Sequence, residues 1–307
     1  MKKSFGQRLG RDLKYNTALY VMIIPVVLWY LIFVYKPMLG TVMAFYEYSP
    51  VRGYEKSTWK GIEYFITYLG GRKFPVHLRN TLVHSCCTLF IGFPSAVVLA
   101  LLINEVRCQW FKKTIQTMTY LPHFVSLVVC MALVKQFCFS DGLFNDIVVA
   151  LGGERSSMLM NPSLYMPIYV LSGLWKEIGW STIIYLAALA AVDVQLYEAA
   201  RLDGAGRLKQ AIHVTIPGIM PTIVIRFIMN VGAMMSVGYE KTLLLYNYSV
   251  DSVAEIISSY MYRVGIGGAT KLYGLSAAVD VFNAIVNVLL VIMANKLSRK
   301  FTESSLW

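Results

Sequence analysis

Residues 193–217 read Asp193-Val-Gln-Leu-Tyr-Glu-Ala-Ala-Arg-Leu-Asp-Gly-Ala-Gly-Arg-Leu-Lys-Gln-Ala-Ile-His-Val-Thr-Ile-Pro217. Apolar runs at 164–190 and 217–237 flank this stretch, each near or above the roughly 20 residues a helix needs to cross a hydrocarbon core of about 30 Å. The stretch between them is too polar to follow. Asp193 suits an N-cap, where its carboxylate accepts from the free amides of a first turn, and residues 195–202 continue as a short helix. Gly204 suits the left-handed position that ends a helix. Residues 208–216 begin another, and Pro217 fits the first turn of the next span, where a missing amide costs nothing. The result is a helix-turn-helix at a membrane surface, too short to be stable alone. Ala199 and Ala200 allow another backbone to approach closely, with Glu198, Arg201 and Asp203 offering charged contacts around them.

Working outward, the rest of the 307-residue chain is 57% hydrophobic and 15% charged, too apolar for a soluble domain of that length. Six spans can be drawn, at about 17–39, 80–103, 117–139, 164–190, 217–237 and 274–295. The predicted fold is therefore an all-α membrane protein, a single transmembrane domain over 1–307. The net charge of +11 does not point to nucleic acid, because the basic residues are scattered at the ends of apolar segments. Lys2, Lys3, Arg8, Arg11 and Lys14 precede the first span, while Lys296, Arg299 and Lys300 follow the last. Arg107, Lys112, Lys113, Arg201, Arg207 and Lys209 fall in the two connectors on that same side. The other side carries fewer, among them Arg52, Lys56, Lys60, Arg72 and Lys73 over a long loop. The positive-inside rule puts both termini in the cytoplasm, with tails at 1–16 and 296–307 and the polar connector at 191–216 beside them. The first apolar run is longer than a signal-peptide core and no small-x-small site follows it, so it reads as a retained span.

Three segments face outward. Residues 40–79 are polar and aromatic and long enough for a small substructure; 140–163, with Gly142, Gly152, Gly153 and Pro162, read as loop. In 238–273, the spacing predicts a helix over 253–262 lying over the outer mouth, broken by Gly265, Gly267 and Gly268. The five cysteines, Cys86, Cys87, Cys108, Cys130 and Cys138, show no metal or redox spacing and read as packing residues.

The connector also resembles a known family. Glu198-Ala199-Ala200, Asp203-Gly204-Ala205, Ile216-Pro217 and Pro221 match in order and spacing the cytoplasmic EAA loop of binding-protein-dependent ABC importer permeases. Tyr35-Lys36-Pro37, Tyr262-Arg263-Val264-Gly265, Ala294-Asn295-Lys296-Leu297 and the terminal Leu306-Trp307 look like its polysaccharide and multiple-sugar branch, and the resemblance covers essentially the whole chain. One departure is Val194, where many relatives carry proline; this alters entry into the helix. The resemblance implies the type I importer permease architecture in a prokaryotic plasma membrane, and a coupling helix at Glu198, Ala199, Ala200, Asp203, Gly204 and Ala205 that docks on an ATPase. It further implies a second homologous permease, two ATPase subunits that bind ATP and Mg, and an extracellular sugar-binding protein or lipoprotein, with no cofactor in this chain. The competing reading of the connector is a basic helix resting on lipid headgroups, which does not require the Glu-Ala-Ala and Asp-Gly-Ala pattern.

Ionisable and polar side chains at membrane depth face a bundle interior or a watery cavity. Glu177, Ser181 and Tyr185 lie four apart on one face of the fourth span. Arg226 and Asn230 do the same on the fifth, and Asp280, Asn283 and Asn287 form a stripe on the sixth. These stripes suit the wall of a pathway for a polar solute such as a sugar, with Trp175, Trp180 or Tyr239 packing on the apolar face of a ring. Alternatively they hold the bundle together, for example through a Glu177–Arg226 ion pair. Lys135, Lys176 and Glu240 sit near span ends and are assigned no role. His77, His84, His123 and His213 stand apart in sequence and read as structural. Neither a GxxxxGK[ST] phosphate loop nor an HExxH or GxSxG motif occurs, so the chain is not expected to hydrolyse ATP or to be an enzyme. A second reading is an ion-coupled secondary transporter relaying charge through Glu177, Arg226 and Asp280; such proteins are built from inverted repeats, and it would have no use for an ATPase-docking loop.

Overall fold

The computed structural model describes residues 13–236, 238–268 and 271–302; most of the expected tail at 1–16 and the Leu306-Trp307 terminus fall outside them. Helices in chain order are α1 (Thr17–Phe45), α2 (Glu63–Leu69), α3 (Phe74–Glu105), α4 (Gln109–Phe124), α5 (Leu127–Cys138), α6 (Leu143–Ala150), α7 (Pro162–Ala190), α8 (Val194–Leu202), α9 (Arg207–Gly232), α10 (Tyr239–Leu245), α11 (Ile257–Tyr262) and α12 (Tyr273–Thr302). Five of the expected spans are α1, α3, α7, α9 and α12. Even α9, with 26 residues, is about 39 Å long at ~1.5 Å per residue and exceeds the hydrocarbon thickness. Unlike the separate tail expected at 296–307, α12 continues past Asn295 to Thr302.

The third span departs from the continuous helix expected over 117–139. It breaks at Val125 and Ser126, both extended, and Ser126 Oγ accepts from the Val129 amide to start α5. Neither residue is a glycine or proline; the local signature is Ser126, a preferred N-cap residue, with Pro122 one turn before it.

Proline shapes three other helices in a regular way. Wide π-turns span Leu31–Tyr35, Thr88–Gly92 and Ala211–Thr215, each ending two residues before Pro37, Pro94 or Pro217. A proline lacks the N–H that would bond the carbonyl four residues back, and its ring crowds that carbonyl. In each case that carbonyl lies inside the π-turn, whose wider register relieves the clash. Pro217 thus sits within α9, which begins at Arg207, and not at the start of a separate span as its position suggested.

The segments expected to face outward are more structured than the sequence implied. Residues 40–79 form the small substructure expected, with an antiparallel bridge between Tyr46 and Trp59 and then α2. The 140–163 segment holds α6, because the buried Asn145 amide donates to the carbonyls of Phe139 and Ser156 at 2.7 and 3.0 Å and gathers the chain around it. The helix expected over 253–262 is split into a turn at Asp251–Ala254 and α11. Ile257, Ser258 and Ser259 of α11 are buried in the bundle and do not lie over a mouth.

Three apolar clusters organise the bundle. Two gather outer elements: Cys130, Met131, Val134, Cys138, Tyr165, Tyr169 and Leu245 in one, Tyr68, Met235, Ile257, Leu275 and Val279 in the other. Ala96, Ala100, Tyr185, Leu189 and Ile219 form the third, on the side of the connector. Cys130 and Cys138 therefore pack as expected, whereas residues Thr17–Tyr30 of α1 bury nothing against this chain. Helix α7 meets α4 at Gly179, where an added Cβ would run into the Thr119 carbonyl. Gly179→Ala is expected to force the two helices apart at a cost of about 1–3 kcal/mol, read as a lower melting temperature of the purified protein in detergent.

Candidate functional site

The connector leaves α7 through a 72° bend. Asp193 Oδ1 accepts from the Gln195 amide at 2.9 Å and caps α8. At the other end Gly204 takes φ +77°, and the Ala205 amide returns to the Ala200 carbonyl at 2.9 Å, closing the helix in the way αL glycines do. Tyr197 donates to Thr215 Oγ1 at 3.1 Å and Gln210 Nε2 to the Ala205 carbonyl at 2.7 Å, so α8 is tied to the start of α9. Glu198, Ala199, Asp203 and Gly204 are exposed, Ala200 and Ala205 half-buried. Alongside them Leu202 is 90% and Leu208 75% exposed, with Val194 and Leu196 also open. Among the described residues nothing covers this apolar and charged face of the connector.

Between the outer clusters and the connector-side cluster lies a cavity of about 350 Å³. Ser85, Thr88 and Phe93 of α3, Glu177, Ser181 and Tyr185 of α7, Arg226 and Asn230 of α9, and Lys241 of α10 line it. The stripes predicted on the fourth and fifth spans thus face one space. Glu177 is not paired with Arg226; its Oε2 accepts from His123 Nδ1 at 2.8 Å and its Oε1 lies 3.6 Å from the Lys176 ammonium. The His123 ring in turn stacks on Trp180, centroids 4.3 Å apart and planes within 3°. His123 does not line the cavity itself and reaches it only through its bond to Glu177.

Lys176, which carried no assigned role, explains the broken third span. Only 8% exposed, its ammonium reaches the carbonyls of Pro122, His123 and Val125 at 3.4, 2.9 and 3.0 Å. These acceptors end α4, and a buried cation is the strongest available partner for them.

The third predicted stripe does not join this cavity. Asn287 accepts from the Met235 amide at 3.0 Å and donates to Ser236 Oγ at 2.9 Å, fastening α12 to the segment after α9. Asn283 is buried and Asp280 exposed, neither lining the cavity. Trp175 and Trp180 are outside it as well, and Tyr239 stands beside Glu240 and Tyr262. A second polar cluster escaped the sequence altogether: Glu255, 2% exposed, meets Arg263 at 2.6 Å, His77 at 3.4 Å and Lys73 at 3.8 Å. With Asn80 Nδ2 donating to the Glu255 carbonyl at 3.0 Å, it pins the segment before α11 to the start of α3.

Residues 68–303 match the family described as binding-protein-dependent transport system inner membrane component. The polygalacturonan/rhamnogalacturonan transport system permease protein YteP of Bacillus subtilis is 44% identical over 307 residues, covering 100% of this chain and 95% of its own. Protein LplB of the same organism is 40% identical, over 96% of this chain and 92% of its own. Among solved structures, a chain of a bacterial alginate ABC transporter in complex with alginate pentasaccharide-bound periplasmic protein superposes with a TM-score of 0.88 at 38% identity, covering 97% of this chain and 100% of that one. With its long apolar helices, its EAA-type connector and this likeness along nearly its whole length, the chain belongs to the inner membrane permease components of binding-protein-dependent ABC importers.

Proposed function

We propose that this subunit forms half of the pathway by which an ATP-driven importer takes in an oligosaccharide or polysaccharide fragment, with both termini in the cytoplasm. The observation that carries the pathway is the convergence of Glu177, Ser181, Tyr185, Arg226 and Asn230 on one cavity beside the His123–Trp180 stack. Hydroxyls can bond to the polar groups while an aromatic face meets the apolar side of a ring. A second permease encloses the other half. Two ATPase subunits, which bind ATP and Mg, dock on Glu198, Ala199, Ala200, Asp203, Gly204 and Ala205. Their closure moves α8 as a lever and swings the spans from inward-open to outward-open, and an external binding protein delivers the sugar. The delivery step is supported by the alginate transporter, whose structure contains a pentasaccharide-bound periplasmic protein. A secondary transporter is not favoured, since the likeness to ABC permeases runs through the whole chain.

The test is reconstitution of this chain with its neighbouring permease and ATPase in vesicles, with a panel of loaded binding proteins. One of them is expected to stimulate ATP hydrolysis and uptake. Trp180→Ala, which removes a half-exposed ring, is expected to lower that uptake by about tenfold, the loss of roughly 1.4 kcal/mol of ring contact. Uptake by this chain alone on an ion gradient would reject the proposal.

A further inference from the structure

Lys241 stands where the pathway argument leaves a charge unaccounted for. It reaches from α10 against α7, donates to the Tyr169 carbonyl and lies 4.1 Å above the Tyr169 ring. Its side chain is 8% exposed, and what remains open belongs to the cavity wall. Gly173 makes the room: a Cβ there would stand 2.6 Å from the ammonium. An ammonium has three donors, and the Tyr169 carbonyl takes one.

The charges around the cavity do not balance. Glu177 is the carboxylate in its wall, and it is engaged by His123 and Lys176. Among the described residues, no carboxylate lies within 4.0 Å of Lys241 or of Arg226, the other cation of the wall. Arg226 Nε is buried without a hydrogen-bond partner. Cations without a direct ion-pair partner at membrane depth are expensive, and they persist where a counter-charge arrives as part of function.

We propose that Lys241, with Arg226 across the same cavity, forms an anion subsite that takes the carboxylate of an acidic sugar residue, so that the pathway selects uronate-bearing oligosaccharides over neutral ones. The cavity volume accommodates one or two sugar residues, so a longer chain passes through it residue by residue. Lys241 also ties α10 to α7 through Tyr169, and that structural contribution must be separated from the recognition of charge. The proposal rests on the pathway assigned above.

The experiment uses the complete transporter in lipid nanodiscs without binding protein, so that this cavity and not the delivery protein sets selectivity. Direct binding of trigalacturonate is compared with that of its methyl ester, the same sugar without the charges. The acid is expected to bind at least tenfold more tightly than the ester. Lys241→Met should bring the acid down to the level of the ester, while Lys241→Arg should keep the preference and control for folding. Equal binding of acid and ester to the natural protein overturns the anion subsite, and a preference that survives Lys241→Met removes Lys241 from it. Asn230→Ala, at an uncharged polar residue of the cavity wall, separates the two layers of the argument. If both sugars bind it as they bind the natural protein, the sugar lies away from the assigned pathway and the underlying reading fails.

Discussion

Glu198→Lys is expected to leave the bundle folded and to stop ATP-driven uptake. Glu198 is exposed, and among the described residues no hydrogen bond or ion pair involves its side chain, so reversing its charge should change stability by no more than about 0.5 kcal/mol. A loss of uptake in this variant would therefore point to the docking proposed above and not to unfolding. Leu202 and Leu208 beside it are also exposed, so the charge sits on an apolar face that no described residue of this chain covers.

Gly204 tests the same lever through its shape. No atom lies within 4 Å of a Cβ built there, so a side chain meets no obstacle; the strain comes from φ +77° alone. A β-branched residue is the least tolerant of that region, and Gly204→Val should cost about 1–3 kcal/mol in the turn. The turn answers by opening, releasing the Ala205–Ala200 bond and tilting α8. Both variants are predicted to melt within a few degrees of the natural protein and to lose more than nine-tenths of uptake and of ATPase stimulation by the loaded binding protein. Normal uptake in both would end the lever assignment.

Lys176→Met should be the most damaging single change to the bundle. It strips three carbonyls of their shared donor at the end of α4 and takes the nearer cation from Glu177. A buried acceptor left without a partner costs about 1–3 kcal/mol, and three carbonyls share this donor. A loss near 4 kcal/mol is thus expected, seen as a melting temperature many degrees lower and a reduced yield of monodisperse protein. The break at Val125 and Ser126 would then drift, carrying His123 off Trp180. Residual folded protein should accordingly bind oligosaccharide poorly, whereas Lys176→Arg, which retains donors and charge, should recover part of both properties. A Met variant as stable as the natural protein would show that the ammonium does not hold the break.

Much of this was written locally in the chain. Apolar length alone sets the spans, because a bilayer asks only that about 20 residues bond their backbone internally. The cap at Asp193 and the αL turn at Gly204 depend on residues a few positions apart, so their geometry followed from their identity. The helical stripes of Glu177, Ser181 and Tyr185 and of Arg226 and Asn230 were legible for the same reason: a period of about 3.6 residues decides which side chains share a face.

What periodicity could not say is which faces meet. Asp280, Asn283 and Asn287 have as clear a stripe as the others, yet packing turned Asn287 to fasten Met235 and Ser236. His123 looked isolated because its partners, Glu177 and Trp180, lie more than fifty positions away. The break in the third span depends on Lys176, a residue of another helix, and Lys241 reaches the cavity because Gly173 leaves room on a neighbour. By itself the sequence determined the all-helical membrane fold, the capped helix of the connector and the polar faces of two spans, since hydrophobic length, caps and helical period act within a few turns. Only the tertiary structure decided where the third span breaks, which polar faces share a cavity and how its charges are paired, because buried polar groups are satisfied by whatever donor the packing brings alongside.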